Sequence, residues 1–422
     1  MNILQTNVSV VNNFLFKFKE LFSNKQFSMF QSFIYAMLRD YKRLNLSSLS
    51  KQLSSDYQAL QYFFSDSDWS YDNLNIKRID ILKRQRTTGF SKDGVLAIDD
   101  TGSLKPRAKK TEGASFQYFS TLKRQAYCNV AVASCFVKDS KHLPLNFKFY
   151  KPQDEFRLGK YDSEFKSKLD FAKELFNEAI DQNINFSYTV FDSWYGSSDF
   201  LEFINDKNSN FITEIKADRR FLFKNPLSGK YSWLQQDELV KLIKKFFPHK
   251  VKVIRYKDSF LPIYSFQTRL KNCSVPIKAF VIFNKWSDDD SKNIHILITN
   301  DLKLSFKKAP FIYMQRWGIE RAFQELKDTF FFDHYQVRSK EKIMRYWMLS
   351  TLVFSLIYWI KLNGCLTKIL NFYPSSFNEH KQALQKLILF SSYSFLSKNP
   401  DEYSFYFADI KSQRFKNNSI FN

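Results

Sequence analysis

The chain has 422 residues, 44% of them hydrophobic, which is enough to bury a sizeable core and to fold as two or three units. Its 64 Lys and Arg residues outnumber 42 Asp and Glu residues, and the formal charge of +22 favours a polyanionic partner, nucleic acid first. The alternative is an AT-rich coding sequence, which raises the Lys and Phe counts without selection for DNA. The longest apolar run, Trp347 to Ile360, is shorter than the roughly 20 residues that span a bilayer, so we expect a buried helix and no membrane.

Sequence patterns for a zinc site, a disulfide framework or export are weak in this chain. The four Cys and five His residues lack the close pairs typical of a zinc site or a disulfide framework. Any metal would therefore be held by carboxylates, which favours a hard ion such as Mg²⁺. The N-terminus has no basic start followed by an apolar core and a cleavage site, so we expect a cytoplasmic protein.

In chain order, short helices are predicted first, at Met29–Leu38, Leu46–Leu53 and Tyr57–Phe64. The tight junction at Ser54-Ser55 is compatible with a helix-turn-helix that reads DNA, although any small helical bundle gives the same pattern.

Two apolar runs further along the chain each lead into an acid. Val95–Ile98 leads into Asp99 and Asp100, and Phe186–Phe191 leads into Asp192. Both patterns predict buried strands that deliver carboxylates at their C-terminal ends, a common place for active sites. A single aspartate at a strand end often only caps a turn.

Further elements follow the same patterns of periodicity. We predict strands at Val130–Phe136 and Leu145–Tyr150, a helix at Phe165–Ile180, an all-β insertion at 217–303, and helices at Lys307–Phe330 and Ser339–Leu362. The four strands expected in the insertion are Val251–Tyr256, Pro262–Gln267, Ile277–Phe283 and Ile294–Thr299.

In the predicted helix Lys307–Phe330, the spacing of four polar residues predicts that they form one helical stripe beside an apolar face. These residues are Tyr313, Arg316, Glu320 and Lys327. A packed helix of this kind suits a metal-binding carboxylate with cations beside it for a phosphate backbone. The alternative is a solvated face with i,i+4 ion pairs. Asp99 or Asp100, Asp192 and Glu320 together match the acids that two-metal phosphoryl transfer requires.

These segments resemble a known family, the bacterial insertion-sequence DDE transposases of the cut-and-paste branch that carries a Tyr-Arg-Glu-Lys signature. The four signature residues match its spacing without a gap. LAIDDTGS (Leu96–Ser103) and FDSWYGS (Phe191–Ser197) are similar to the family's two aspartate strands. Tyr57–Leu74 and Phe332–Ser339 resemble regions before and after them.

The resemblance implies an α/β fold with an RNase H-like catalytic core, a β-rich insertion and an N-terminal helical domain. The expected segments are an N-terminal helical DNA-binding domain at 1–75, core at 76–216, insertion at 217–303, core at 304–365 and a C-terminal helical region at 366–422. It also implies a Mg²⁺-dependent enzyme, with Mn²⁺ as a substitute, that cleaves inverted-repeat ends and joins them to target DNA. A homodimer on double-stranded DNA is expected.

For the site, the resemblance implies that Asp192, Glu320 and one of the paired aspartates bind metal. The D-x-T pattern selects Asp99, whereas other members have the acid at the position of Asp100; adjacent strand residues point to opposite faces, so we expect one ligand. It implies that Tyr313, Arg316 and Lys327 contact end phosphates. If the excised end forms a hairpin, Trp286 and Trp233 are candidates for stacking on a flipped base, although a Trp in a β domain more often lies in the core.

Two other functions fit the same sequence. A metal-dependent nuclease would cut DNA without joining it, and a non-catalytic protein would bind DNA through its basic surface alone.

Overall fold

The computed structural model describes residues 8–39, 57–108, 110–119, 122–256, 259–284, 294–370 and 373–398. The predicted helix at Leu46–Leu53, the junction at Ser54-Ser55 and Trp286 lie outside these residues.

Within the described ranges the chain forms twelve α-helices, which we number in chain order: α1 Ser9–Leu15, α2 Asn24–Arg39, α3 Tyr57–Ser65, α4 Tyr71–Lys83, α5 Lys168–Asp181, α6 Ser198–Asp206, α7 Gln236–Phe246, α8 Ala309–Met314, α9 Trp317–Phe330, α10 Lys340–Leu362, α11 Thr367–Leu370 and α12 Phe377–Lys398. Short 3-10 turns occupy Phe16–Leu21, Gln153–Glu155, Gly159–Tyr161 and Pro248–Lys250.

The same ranges contain twelve β-strands: β1 Val95–Leu104, β2 Ser115–Phe119, β3 Arg124–Lys138, β4 Lys141–Tyr150, β5 Tyr188–Phe191, β6 Phe211–Glu214, β7 Phe221–Lys224, β8 Tyr231–Leu234, β9 Lys252–Tyr256, β10 Ser259–Thr268, β11 Ile277–Phe283 and β12 Ile294–Thr299.

Contacts divide the chain into two compact units. Unit 1 comprises Met1–Gly89, Gly102–Asn129 and Gln324–Asn422, and unit 2 comprises Phe90–Thr101 and Val130–Phe323. This division into two units does not test the five domain segments expected from the sequence, which therefore stay predictions.

Unit 1 is built around helix α10. This helix is long and apolar enough to cross a membrane by length and composition, but 94% of its most apolar 18-residue window is buried, which is typical of a core helix. Its one deeply buried cation, Arg345, donates hydrogen bonds to the carbonyl oxygens of Phe64, Ser67 and Trp69. These bonds compensate for removing the guanidinium from water and fix α10 against the turn that follows α3.

Unit 2 is a mixed sheet with helices. Its strands run in the order β4-β3-β1-β5-β6-β12-β11-β10-β9. β1, β5 and β6 are parallel, and helices α5 and α6 provide the crossovers that parallel strands need. Leaving out β2, which belongs to unit 1, the five strands β1, β3, β4, β5 and β6 stand in the sheet in the order third, second, first, fourth, fifth. The predicted α/β class with an RNase H-like core is confirmed.

Two expectations about local structure are wrong. The region 217–303 is not all-β, because α7 lies within it: Gln235 and Glu238 form a capping box, and Leu239, Val240 and Ile243 are buried on one face. Strands β12 to β9 also continue the main sheet, since β12 pairs with β6.

The second error concerns the expected single helix at Lys307–Phe330, which is broken into α8 and α9. Backbone bonds from Arg316 to Tyr313 (2.9 Å) and from Gly318 to Gln315 (2.8 Å) span three residues and tighten the chain here. The four signature residues therefore do not share one helix: Tyr313 is in α8, Arg316 lies in the junction, and Glu320 and Lys327 are in α9.

Gly318 permits the close approach of this junction to β3. A Cβ atom on Gly318 would lie 2.4 Å from Val137 Cγ1. We therefore expect Gly318→Ala to lower the free energy of unfolding by about 1–3 kcal/mol, measured by denaturant titration. Adding Val137→Ala should restore part of this loss, because it removes the clashing methyl groups. An equal loss with and without Val137→Ala would contradict this account of the junction.

Candidate active site

A row of carboxylates crosses the parallel strands of unit 2. Ala97 of β1 is level with Val190 of β5, and Phe191 is level with Thr213 of β6. Continuing these registers places Asp99, Asp192 and Glu214 side by side on one face. This row concentrates negative charge on one face of the sheet. The prediction that both strands deliver their acids at their C-terminal ends is wrong for Asp99, which lies in the middle of β1 because β1 continues to Leu104, whereas Asp192 follows β5 and Glu214 ends β6.

Asp99 experiences this charge most strongly. Its side chain is only 15% exposed. Burial, with the charges of Asp192 and Asp100, raises the pKa of Asp99 to about 8, and Arg316 opposes the shift. The backbone N–H of Asp100 also donates to Asp99 Oδ1 over 2.8 Å.

Asp192 is fixed by the turn that follows β5. Its Oδ1 accepts backbone hydrogen bonds from Trp194 (2.9 Å) and Tyr195 (3.4 Å). Burial nevertheless raises the pKa of Asp192, while these two bonds and Arg316 lower it. Ser197 then caps α6 by accepting from the N–H of Phe200.

Asp100 has its own partners, which separate it from the row. Lys168, the first residue of α5, lies 2.9 Å from Asp100 Oδ2, and the buried Tyr195 hydroxyl donates to Oδ1 over 3.3 Å. Of the two adjacent aspartates, Asp99 is therefore the one in the row, while Asp100 is held by a lysine and a tyrosine.

Arg316 joins the row to Glu320. Its Nη1 lies 3.1 Å from Asp99 Oδ2 and 2.7 Å from Glu320 Oε1. The i,i+4 pair expected on a solvated face exists, but the Arg316 side chain is only 12% exposed. The guanidinium therefore lies as a buried cation between the carboxyl groups of Asp99 and Glu320.

Sequence reasoning missed Glu214 and His295, although it singled out Tyr313. Glu214 Oε2 accepts from the Tyr313 hydroxyl at 3.5 Å, and Glu214 Oε1 lies 2.6 Å from His295 Nδ1. A weaker signal was available, because the β-prone stretch Phe211–Thr213 leads directly into an acid, as the apolar runs before Asp99 and Asp192 do. Lys168 and Tyr195 gave no comparable signal.

The remaining predicted residues lie elsewhere. Lys327 belongs to unit 1, where its Nζ donates to the Gly102 carbonyl over 2.8 Å and lies 5.8 Å from the centre of the Phe119 ring. Burial lowers the pKa of Lys327. Trp233 is in β8 and 39% exposed.

The acids of the site are of the donor type that binds a divalent cation. In the part of the chain that is described, no three ligand-type side chains stand in a metal-holding arrangement. The donor chemistry nevertheless fits, because Asp99, Asp192 and Glu320 offer carboxylate oxygens suited to a hard ion. Burial is the largest cause of the raised pKa of Asp99, and the charges of Asp192 and Asp100 add to it, so a cation bound beside these acids would lower this pKa.

The raised pKa of Asp99 has a consequence for stability. Native Asp99 keeps its proton up to about pH 8, whereas an unfolded aspartate releases it near pH ~4. The native state binds more protons between these values, so stability falls as pH rises through this window. Asp99→Asn should remove the loss, with a gain over wild type that grows from about pH 5 to about pH 8 and reaches a few kcal/mol.

Thermal unfolding across this pH range measures the gain. Asp100→Asn is the matched control: it leaves Lys168 without its carboxylate, so it should not stabilise the protein. A gain for Asp99→Asn that is constant with pH would contradict the assignment.

Comparison with known proteins agrees with this geometry. The family model described as DDE superfamily endonuclease matches residues 17–251, and the one described as Transposase DDE domain matches residues 166–356. No curated protein matches. A solved structure described as the piggyBac transposase synaptic complex with hairpin DNA aligns at 10% identity and a TM-score of 0.47, over 92% of this chain and 76% of that chain. Because the first family spans more than half of the sequence, the chain belongs to the DDE superfamily of endonucleases.

Proposed function

We propose that this protein is a transposase that cleaves the inverted-repeat ends of a transposon and joins them to target DNA by two-metal phosphoryl transfer. The observation that carries the proposal is the placement of Asp99 and Asp192 in one row, with Glu320 tied to Asp99 through Arg316. Asp99, Asp192 and Glu320 are the residues that would hold Mg²⁺, or Mn²⁺ in its place. When bound, two such ions would supply activation of the attacking water or 3′-hydroxyl and stabilisation of the leaving oxygen.

The other side chains then have defined tasks. Arg316 is held at the site by two carboxylates and offers a guanidinium to a phosphate that approaches Asp99. Tyr313 keeps its proton, because burial raises its pKa, and remains a hydrogen-bond donor. Lys327 contacts the phosphates of the transposon end, as the Tyr-Arg-Glu-Lys signature of the cut-and-paste branch implies.

The excess of positive charge supports double-stranded DNA as the substrate. We propose that a homodimer brings two inverted-repeat ends together. Trp233 and Trp286 are proposed to stack on a flipped base of a hairpin end. The cytoplasmic location and the bacterial origin stay predictions.

Two alternatives are separated by their products. A nuclease without strand transfer would release cut ends and no joined DNA. A non-catalytic protein would bind DNA equally well with and without EDTA and would cut none.

The test is cleavage of labelled DNA that carries the inverted repeats flanking this gene. We expect nicks at the repeat boundary with Mg²⁺ and none with EDTA. Glu320→Ala should reduce cleavage to background and leave binding within about twofold, because binding depends mainly on cations elsewhere. Asp328→Ala, which removes an exposed acid from the same helix, should cut like wild type. Cleavage that persists in Glu320→Ala would overturn the proposal.

A further inference from the structure

Glu214 and His295 continue the carboxylate row onto the next strand. In the antiparallel pair β6 and β12, Leu297 lies opposite Glu214, so His295, two residues from Leu297, is on the same face. The ring nitrogen Nδ1 of His295 is 2.6 Å from Glu214 Oε1. The row of acids therefore ends in a carboxylate that is paired with an imidazole.

Glu214 uses both oxygens to position other side chains. Oε1 is the partner of His295, and Oε2 accepts from the hydroxyl of Tyr313. A single carboxylate thus orients a ring from β12 and a ring from α8. Neither Glu214 nor His295 belongs to the proposed metal-binding set.

The pair has the charge and exposure of a phosphate contact. The hydrogen bond to Glu214 raises the pKa of His295, so the ring keeps its positive charge to higher pH than a free histidine. On its other side His295 faces Ile282 of β11, which carries no charge. The side chain is 51% exposed, and with Nδ1 on Glu214, Nε2 remains for a ligand.

The surroundings favour a phosphodiester as that ligand. A DNA strand that reaches Asp99 and Asp192 passes a face rich in carboxylates, which repel its phosphates. Unpaired, Glu214 would add to that repulsion. Paired with His295, it is neutralised and holds a cation at the end of the row.

We propose that His295 binds a backbone phosphate of the DNA that enters the row, and that Glu214 is the positioning residue that orients His295 for this contact. The inference rests on the proposed DNA substrate and extends it to Glu214 and His295, which belong neither to the proposed metal ligands nor to the Tyr-Arg-Glu-Lys signature.

The salt dependence of binding tests the contact without cleavage. Binding of wild type to a labelled inverted-repeat duplex is measured in EDTA at several salt concentrations near pH 6.5. His295→Ala should weaken binding and lower the slope of log K against log[salt] by about 0.9, the value for one lost phosphate contact on B-DNA. His249→Ala, which removes another exposed histidine of unit 2, is the matched control and should leave the slope unchanged.

Glu214→Gln tests the positioning role. Without the carboxylate, His295 should lose its proton at lower pH, so the fall in DNA affinity with rising pH should begin earlier than in wild type. A merely structural Glu214 would lower the thermal midpoint and leave this pH profile in place. An unchanged slope in His295→Ala, or an unchanged profile in Glu214→Gln, overturns the inference.

These outcomes separate the inference from the proposed function. If wild type binds but does not cut with any metal, and the slope falls in His295→Ala, the transposase proposal fails and the phosphate contact stands. If wild type cuts and the slope is unchanged, only the phosphate contact fails. If wild type does not bind this DNA, both fail.

Discussion

The concentration of acidic side chains on one face of the sheet is the constraint on which the site depends. Parallel strands in register place Asp99, Asp192 and Glu214 together, and neighbouring carboxylates repel one another unless cations or hydrogen-bond donors offset their charge. Each acid has a compensating neighbour: Arg316 for Asp99, backbone N–H groups for Asp192, and His295 for Glu214. At Asp99, burial and the charges of Asp192 and Asp100 outweigh Arg316, and its pKa is raised to about 8. A divalent cation bound here would favour the ionised form of Asp99 and offset the charge of the neighbouring acids.

The fold determines which side chains meet in this row of acids. β1 and β5 bring the two aspartates because they are adjacent and parallel, and the tight junction between α8 and α9 brings Arg316 to Asp99. Gly318 is required at this junction because any side chain there would meet Val137. The packing of this junction against β3 thus positions the guanidinium that links Asp99 to Glu320.

Much of this was predictable from sequence, for physical reasons that differ by element. The distribution of apolar residues along the sequence predicts strands β9 to β12 and the apolar helix α10. An acid directly after an apolar run identified Asp99 and Asp192 as candidate site residues. The helix break before Trp317 was not predictable, because the close approach of this junction to Val137 is a tertiary contact that the local sequence does not show. Helix α7 was missed although its capping box and apolar face are visible in the sequence. Lys168 and Tyr195, which contact Asp100, come from segments remote from it in sequence. No local sequence pattern predicts such contacts.

The central claim is that Asp99, Asp192 and Glu320 form one cation site in which Arg316 now offsets part of the charge. The most direct test is a crystal structure with Mn²⁺, located by its anomalous scattering. If the three acids form one cation site, we expect manganese density bound by Asp99, Asp192 and Glu320, with Arg316 displaced from Asp99. An Arg316 that still bridges Asp99 and Glu320, with no manganese among the carboxylates at saturating concentration, would contradict it.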